Sequence, residues 1–142
     1  METIDYKKLY NNAVKAGIKR DYKKAVKLFT KIVTYTDEFP HALLYLGRSY
    51  HALGNYKKAI PIYEYYLKSQ KNKEAGHFFL GRAYLAVGQF KRAIINLKYV
   101  LKNNPEFLPA ISLLGIVFLK LRKPDISVTY FKKAIKLAPK NK

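Results

Sequence analysis

The segment that decides the fold runs from residue 43 to residue 63 and reads LLYLGRSYHALGNYKKAIPIY. Four of its residues are spaced i, i+3, i+4 and i+7, so they share one face of a helix: Leu43, Leu46, Gly47 and Tyr50. A Gly-Asn pair follows, which is typical of the end of one helix and the cap of the next. A second apolar helical face comes after it. The segment therefore predicts two helices joined by a tight turn.

The same pattern recurs along the chain at an offset of 34 residues, without insertion or deletion. Two columns of small residues and one of large residues define it: Ala25, Ala59, Ala93, Ser127; Ala13, Gly47, Gly81, Gly115; and Phe29, Tyr63, Leu97, Phe131. The small columns predict the place where the two helices of a hairpin cross closely. Because one hairpin cannot bury its own apolar face, we expect neighbouring hairpins to stack.

These columns resemble the tetratricopeptide repeat. The residues that carry the resemblance are Leu43, Leu46-Gly47, Tyr50, Gly54-Asn55-Tyr56, Ala59 and Tyr63, then Leu80-Gly81, Tyr84, Gly88, Phe90 and Ala93, then Ile111, Leu114-Gly115, Phe118 and Phe131. The resemblance covers residues 6–141 and implies an all-α fold, a right-handed α-solenoid of four helix-turn-helix repeats with eight helices. We expect a single domain over residues 1–142, with repeats at 6–39, 40–73, 74–107 and 108–141.

The first and last copies depart from the pattern. Asn12 stands in a leucine column, and Arg20 replaces the glycine of the first turn. In the last copy Arg122-Lys123-Pro124 replaces the turn motif, and Ser127 replaces alanine. Terminal copies of stacked repeats are commonly atypical, because one of their sides faces solvent.

Three prolines bear on the helix limits. Pro61 lies about five residues inside a second helix, where we expect it to be tolerated with a slight bend. Pro105 and Pro139 are expected to follow the ends of second helices.

The composition restricts chemistry and location. There is no cysteine, so disulfides and thiolate zinc sites are excluded. The amino-terminal residues have no apolar signal segment, and the longest apolar stretch, 111–119, is too short to cross a bilayer, which needs about 20 residues. We therefore expect a cytoplasmic protein.

Catalytic constellations are not evident in the sequence. No two of the histidines (His41, His51 and His77) have the i, i+3 or i+4 spacing of a helical metal site. The glycines are explained by the repeat, and no serine belongs to a recognisable triad motif. We predict neither an enzyme nor a bound metal or cofactor.

The resemblance implies that the first helices of the repeats line a concave groove that binds partners. The groove columns fall on Tyr10 and Val14, on Leu44, Tyr45, Arg48 and His51, on Phe78, Phe79, Arg82 and Leu85, and on Ser112, Leu113 and Ile116. This predicted face is apolar and aromatic, which is typical of interaction sites. The alternative is that Tyr45, Phe79 and Leu113 pack between neighbouring helices.

Two of the chain's five arginines, Arg48 and Arg82, stand one repeat apart in this groove. If adjacent helices pack normally they project in parallel about 8–10 Å apart, and such a pair can hold a carboxylate. We expect a protein or peptide partner, extended or helical, with apolar anchors and an acidic residue. The Lys/Asn clamp that one subclass of the family uses for peptide carboxyl termini is absent, because Tyr10, Val14 and Tyr45 occupy its columns.

The net charge of +19 suggests an alternative, in which a basic convex surface binds nucleic acid, an acidic protein or a membrane surface. The second helices carry a column of basic pairs: Lys23 and Lys24, Lys57 and Lys58, Lys91 and Arg92. We rank this alternative second, because the basic residues are mostly lysine and a solvated surface explains them as well.

The last repeat is not followed by a polar capping helix. Its second helix is predicted to leave part of an apolar face uncovered at Tyr130, Phe131, Ala134 and Ile135. Either this helix pairs with another chain, so that the protein self-associates, or the sequence is a fragment of a longer protein.

Overall fold

The computed structural model describes residues 3–70 and 73–138, which form eight helices and no strand. This confirms the predicted all-α fold for those residues. The helices are α1 (Tyr6–Ile18), α2 (Tyr22–Tyr35), α3 (His41–Ala52), α4 (Tyr56–Ser69), α5 (Glu74–Ala86), α6 (Phe90–Asn103), α7 (Leu108–Lys120) and α8 (Pro124–Leu137). None of these helices combines the length and the apolar character needed to cross a membrane.

The helices repeat with the period of the sequence. The second helix of each hairpin begins 34 residues after the previous one, at Tyr22, Tyr56, Phe90 and Pro124. Each of these helices has 14 residues. The hairpin is therefore the structural form of the 34-residue sequence unit.

Contacts divide the chain into two compact units, unit 1 (Met1–Lys71) and unit 2 (Asn72–Lys142). In unit 1, α1 packs on α2, α2 on α3, and α3 on α4. In unit 2, α5 packs on α6, α6 on α7, and α7 on α8. Each unit thus contains two stacked hairpins, and the single domain over residues 1–142 stays a prediction.

The turns inside the hairpins share one backbone geometry despite their different residues. Gly54 and Gly88 have φ of +78° and +79°, which confirms the left-handed turn expected at the first of them. Arg20 and Arg122 adopt the same left-handed backbone conformation, with φ of +63° and +59°. The backbone of the hairpin therefore imposes the left-handed residue even where the sequence lacks glycine.

The second helices of unit 1 are capped by side chains. The predicted cap at Asn55 is confirmed, since its Oδ1 accepts a hydrogen bond of 3.3 Å from the backbone N–H of Lys58. Asp21 does the same for the N–H of Lys24 at 3.2 Å. These caps satisfy backbone donors that a helix start leaves open.

Two of the three prolines, Pro61 and Pro105, lie where the sequence predicts. Pro61 is inside α4, which continues to Ser69, so its predicted tolerance is confirmed. Pro105 comes shortly after α6 ends at Asn103. Pro139 lies outside the described residues.

The glycine column marks the close crossing of the two helices in three hairpins. A Cβ placed on Gly47 would overlap the ring of Tyr63, and one on Gly115 would lie 2.7 Å from the ring of Phe131. In the last hairpin Ser127 is 1% exposed, and its hydroxyl donates a 2.8 Å hydrogen bond to the carbonyl of Gly115. The serine that replaces alanine is therefore satisfied within the crossing.

Candidate peptide-binding faces of the first helices

In unit 1 the aromatic residues of the predicted groove form a packed ring cluster. The ring of Tyr10 stacks on Phe39, with centroids 4.9 Å apart, and meets the edge of Phe29 at 6.1 Å. The ring of Tyr45 stacks on Phe29 at 5.7 Å. Phe29 is only 2% exposed. Of the two alternatives for Tyr45, packing between helices is therefore what the structure shows.

The hydroxyl groups of this cluster also interact. Burial raises the pKa of Tyr10 above its usual value, and the neighbouring Tyr45 raises it further through its charge and a hydrogen bond. The raised pKa keeps the Tyr10 phenol protonated and uncharged at neutral pH.

The remaining unit 1 positions differ in how accessible they are. Val14 is half-buried against the core, and Leu44 is only 6% exposed, which corrects the expectation that Leu44 is open to a partner. The reason is that α3 packs on both α2 and α4, so its apolar stripe is wider than that of a surface helix. His51 is half-buried, with its ring 4.8 Å from that of Tyr56. Arg48 is exposed.

Unit 2 carries a second aromatic cluster on its first helices. The ring of Phe78 meets the edges of Phe79 and Phe107, each with centroids 5.3 Å apart. The guanidinium carbon of Arg82 lies 5.1 Å from the centroid of the Phe79 ring. The Nε of Arg82 is buried and has no hydrogen-bond acceptor among the residues that the structure describes.

The other predicted groove residues of unit 2 are half-buried. They are Leu85 on α5 and Ser112, Leu113 and Ile116 on α7. Since they are neither core nor fully exposed, their side chains remain partly accessible.

The same arrangement of arginine and ring therefore occurs in both units. Arg48 lies over Tyr45, with its guanidinium carbon 5.8 Å from the ring centroid, as Arg82 lies over Phe79. In each case the ring precedes the arginine by three residues on one helix, so the pair shares a face. The guanidinium covers the ring with one of its faces and can offer its edge to a carboxylate. Because the two arginines belong to different units, their predicted spacing stays a prediction.

Sequence reasoning missed two residues of these clusters. Phe39 and Phe107 precede α3 and α7, and they contact Tyr10 and Phe78 respectively. The pair Tyr10 and Phe39 recurs 68 residues later as Phe78 and Phe107. The signal is therefore a period of two repeats. A search confined to the 34-residue period places Phe39 in a column with Lys73, which hides the relation.

A buried polar pair was also missed. Asn96 on α6 is 8% exposed, its amide donates to the carbonyl of Arg92 at 2.8 Å, and its Oδ1 lies 2.7 Å from Nδ1 of His77. Because the amide nitrogen is already a donor, the His77 nitrogen is the donor to Oδ1. His77 therefore has a structural role in the second hairpin stack. No cluster of three potential metal ligands occurs in the described part of the chain.

The six residues of the predicted basic surface are all exposed, and two of them also lie over aromatic rings. Lys58 lies 5.5 Å from the ring centroid of Tyr50, and Arg92 lies 5.7 Å from that of Tyr84. These two cations therefore cover aromatic residues of their own hairpins. The other four exposed residues are Lys23, Lys24, Lys57 and Lys91.

The last helix exposes part of an apolar face. Ile135 is 67% and Val128 is 47% exposed. Two of the predicted residues are half-buried, since Tyr130 stacks on Phe118 at 5.6 Å and Phe131 lies at the helix crossing. Ala134 is 9% exposed, which corrects the expectation that it is uncovered: it belongs to the column of Ile32, Tyr66 and Val100, which are all buried.

Comparisons with known proteins agree with this geometry. Residues 18–100 match the family described as anaphase-promoting complex, cyclosome, subunit 3, and residues 80–142 match a tetratricopeptide repeat family. Both are families of tetratricopeptide repeats. No curated protein matches the chain significantly.

Solved structures show the same fold. MamA from Desulfovibrio magneticus RS-1 is 21% identical with a TM-score of 0.88, and the match covers 96% of this chain and 77% of that one. YrrB, described as a protein with an unusual peptide-binding site, is 20% identical with a TM-score of 0.85 over 96% of this chain and 71% of its own. A thermophilic tetratricopeptide repeat protein from Thermus thermophilus is 22% identical with a TM-score of 0.79, over 93% of this chain and 74% of its own.

Proposed function

Because the chain belongs to the tetratricopeptide repeat family, whose fold generally mediates protein–protein interactions, we propose that it is a non-catalytic cytoplasmic scaffold that binds a peptide segment of a partner protein. The segment, extended or helical, lies on the first-helix faces and carries apolar anchors and an acidic residue. A peptide-binding site is part of the description of the structural neighbour YrrB, which supports this assignment.

The observation that carries the proposal is the environment of the Arg82 guanidinium. Its guanidinium lies over Phe79, and its Nε–H is buried without an acceptor among the described residues. A buried donor without a partner costs about 1–3 kcal/mol. The Arg82 side chain as a whole is half-buried, so the accessible part of its guanidinium can form a charge-assisted hydrogen bond with a carboxylate of a bound peptide.

The aromatic clusters supply the apolar part of the site. Phe78 packs edge-to-face against both Phe79 and Phe107, so these rings are ordered before a partner arrives. Rings that are already ordered lose little side-chain entropy on binding. Tyr45 and Arg48 repeat the same chemistry in unit 1.

Peptides selected from a random display library on the full chain are the appropriate probe. We expect the selected peptides to combine an acidic residue with apolar residues. We expect Arg82→Ala to weaken their binding about tenfold or more, because a charge-assisted hydrogen bond contributes about 1.5–3 kcal/mol. Titration calorimetry measures the change.

Arg92→Ala is the matched control, since it also removes a guanidinium that lies over an aromatic ring, but on a second helix. Arg82→Lys keeps the charge and loses the planar fork, so it should restore only part of the affinity. Equal affinity of the Arg82→Ala and Arg92→Ala variants for every selected peptide would reject the role of Arg82.

We also propose that the exposed face of α8 allows self-association. In α2 the equivalent columns hold Val26 and Val33, which are half-buried against the core of unit 1. On α8 the same columns hold Val128 and Ile135, which are exposed. Two copies that paired through this face would bury it.

Light scattering at high protein concentration tests the pairing. Ile135→Lys should shift the protein to a monomer, while Ile95→Lys, on α6 at 68% exposure against 67% for Ile135, should not. Raising the salt concentration should favour the pair, because the net charge of +19 repels copies at low salt. A wild-type chain that stays monomeric at every salt concentration would exclude it.

Binding of anions by the second helices is the second candidate function, and it rests on the exposure of Lys23, Lys57 and Lys91. Affinity for RNA, DNA or anionic vesicles should fall steeply with salt. The peptide partners of the first-helix faces should instead remain bound in high salt, because apolar contacts are not screened. A pull-down at two salt concentrations separates the two functions.

A further inference from the structure

One aromatic column of the repeat has a gap in the first hairpin. The column holds Tyr50, Tyr84 and Phe118, while Ala16 stands at its first position. In the later hairpins each ring lies against its own second helix: Tyr50 under Lys58, Tyr84 under Arg92, and Phe118 stacked on Tyr130. In the first hairpin, the position equivalent to these rings therefore carries no aromatic side chain.

A pocket of about 210 Å³ lies at this place. The residues that line it are Asn12, Lys15, Ala16, Lys19, Asp21 and Lys24. Lys24 stands one repeat before Lys58, so the cation that covers a ring in the second hairpin lines a cavity in the first. A cavity of about 150 Å³ can hold a benzene molecule, so this pocket has room for an aromatic side chain.

The charge around the pocket indicates what accompanies the ring. Lys15, Lys19 and Lys24 stand against one carboxylate, that of Asp21, which caps α2 by accepting from the N–H of Lys24. Lysine ammonium groups attract the face of an aromatic ring and the carboxylates next to it. The pocket is therefore locally positive, and an acidic segment complements it.

We propose that this pocket, at the Ala16 gap in unit 1, binds an aromatic side chain of an acidic segment in a partner protein. The incoming ring takes the position that Tyr50 occupies in the next hairpin, with Lys24 over it. Acidic residues on either side of the ring interact with Lys15 and Lys19. This site is separate from the first-helix faces that Arg48 and Arg82 define.

Two synthetic peptides test the proposal on the full chain. One has a single tyrosine between runs of glutamate, and in the other alanine replaces the tyrosine. We expect the tyrosine peptide to bind about tenfold more tightly, as loss of a buried ring with its cation–π contact implies. Equal affinity would mean that charge alone is recognised and would overturn the proposal.

Variants of the protein locate the binding. Ala16→Tyr should fill the pocket from within and weaken the tyrosine peptide about tenfold, to the affinity of the alanine peptide. Circular dichroism verifies that this variant folds. Lys24→Gln should reduce the preference for tyrosine, whereas Lys23→Gln, which removes the same charge from the adjacent position outside the lining, should not. Lys24→Gln keeps the test decisive even if Ala16→Tyr does not fold.

Two further outcomes are decisive. Arg48→Ala/Arg82→Ala should leave the preference for the tyrosine peptide unchanged, so this site can fail or succeed independently of the proposed groove function. Free N-acetyltyrosine should bind far more weakly than the peptide. If it binds as tightly, the pocket serves a small aromatic molecule and the assignment to a protein segment is wrong.

Discussion

The first and second hairpins of unit 1 have the same backbone plan and fill it differently. At the helix crossing the first has Ala13 and the second Gly47. In the turn the first holds Arg20 in the left-handed region, where the second holds Gly54. The hairpin backbone is therefore set by the repeat as a whole, and each column accepts different residues at a local energetic cost.

The largest expected effect lies at the helix crossing. Gly47→Ala should lower the free energy of unfolding by about 2 kcal/mol, because the added Cβ overlaps the ring of Tyr63 and overpacking outweighs the gain in helix propensity. Gly17→Ala in the first hairpin should instead raise it by about 0.5–1 kcal/mol, since no atom lies within 4 Å of its Cβ position. Urea denaturation followed by circular dichroism measures both; a stabilised Gly47→Ala variant would contradict the crossing geometry.

The turns should respond in opposite directions. Gly54→Ala places a side chain in the left-handed region and should cost about 1–2 kcal/mol. Arg20→Gly removes the same backbone strain, but it also gives the unfolded chain more conformational entropy. The net effect should be a stabilisation of up to about 1 kcal/mol. Thermal denaturation of the two variants against the wild type checks the signs. A loss of stability in Arg20→Gly would show that the arginine side chain contributes more than its strain.

The smallest effect concerns two tyrosines with a raised pKa, the half-buried Tyr10 of the first hairpin and the buried Tyr66 of the second. Burial raises the pKa of Tyr66, and burial together with Tyr45 raises that of Tyr10. A raised phenol pKa means that the folded state favours the protonated form. Its contribution is therefore complete below the unfolded pKa of about 10 and is lost as the pH rises through the folded pKa.

Tyr10→Phe and Tyr66→Phe should thus lose less stability above pH 10 than the wild type does, in denaturant titrations across pH. Tyr35→Phe, at a ring that is 68% exposed, serves as the control. Parallel curves for all four proteins would show that neither buried phenol is linked to folding.

The sequence predicted the fold well because stacked repeats are specified by columns that recur. The crossing glycines, the turn at Gly54 and the cap at Asn55 each follow from local rules, and the structure bears them out. The candidate faces were harder to predict, because exposure depends on how many neighbours a helix has. Leu44 is buried for that reason, although its column is one of the predicted groove columns.

Two other features could not be predicted from any single column of the repeat, because they depend on residues in two different columns or repeats. Phe39 reaches Tyr10 only when the second hairpin is stacked on the first. The pocket at Ala16 becomes visible only when the cation over Tyr50 is compared with its equivalent one repeat earlier.

The polarity of α1 limits the symmetry of any assembly that α8 forms. Where α3 has Tyr45 and Leu46, α1 has the exposed residues Asn11 and Asn12. A contact of α8 with the α1 of a second copy would bury these asparagines against apolar side chains, without hydrogen-bond partners. Pairing of α8 with α8 uses one apolar patch twice and closes on itself. Association through α8 would therefore join two copies by a two-fold pair of these helices.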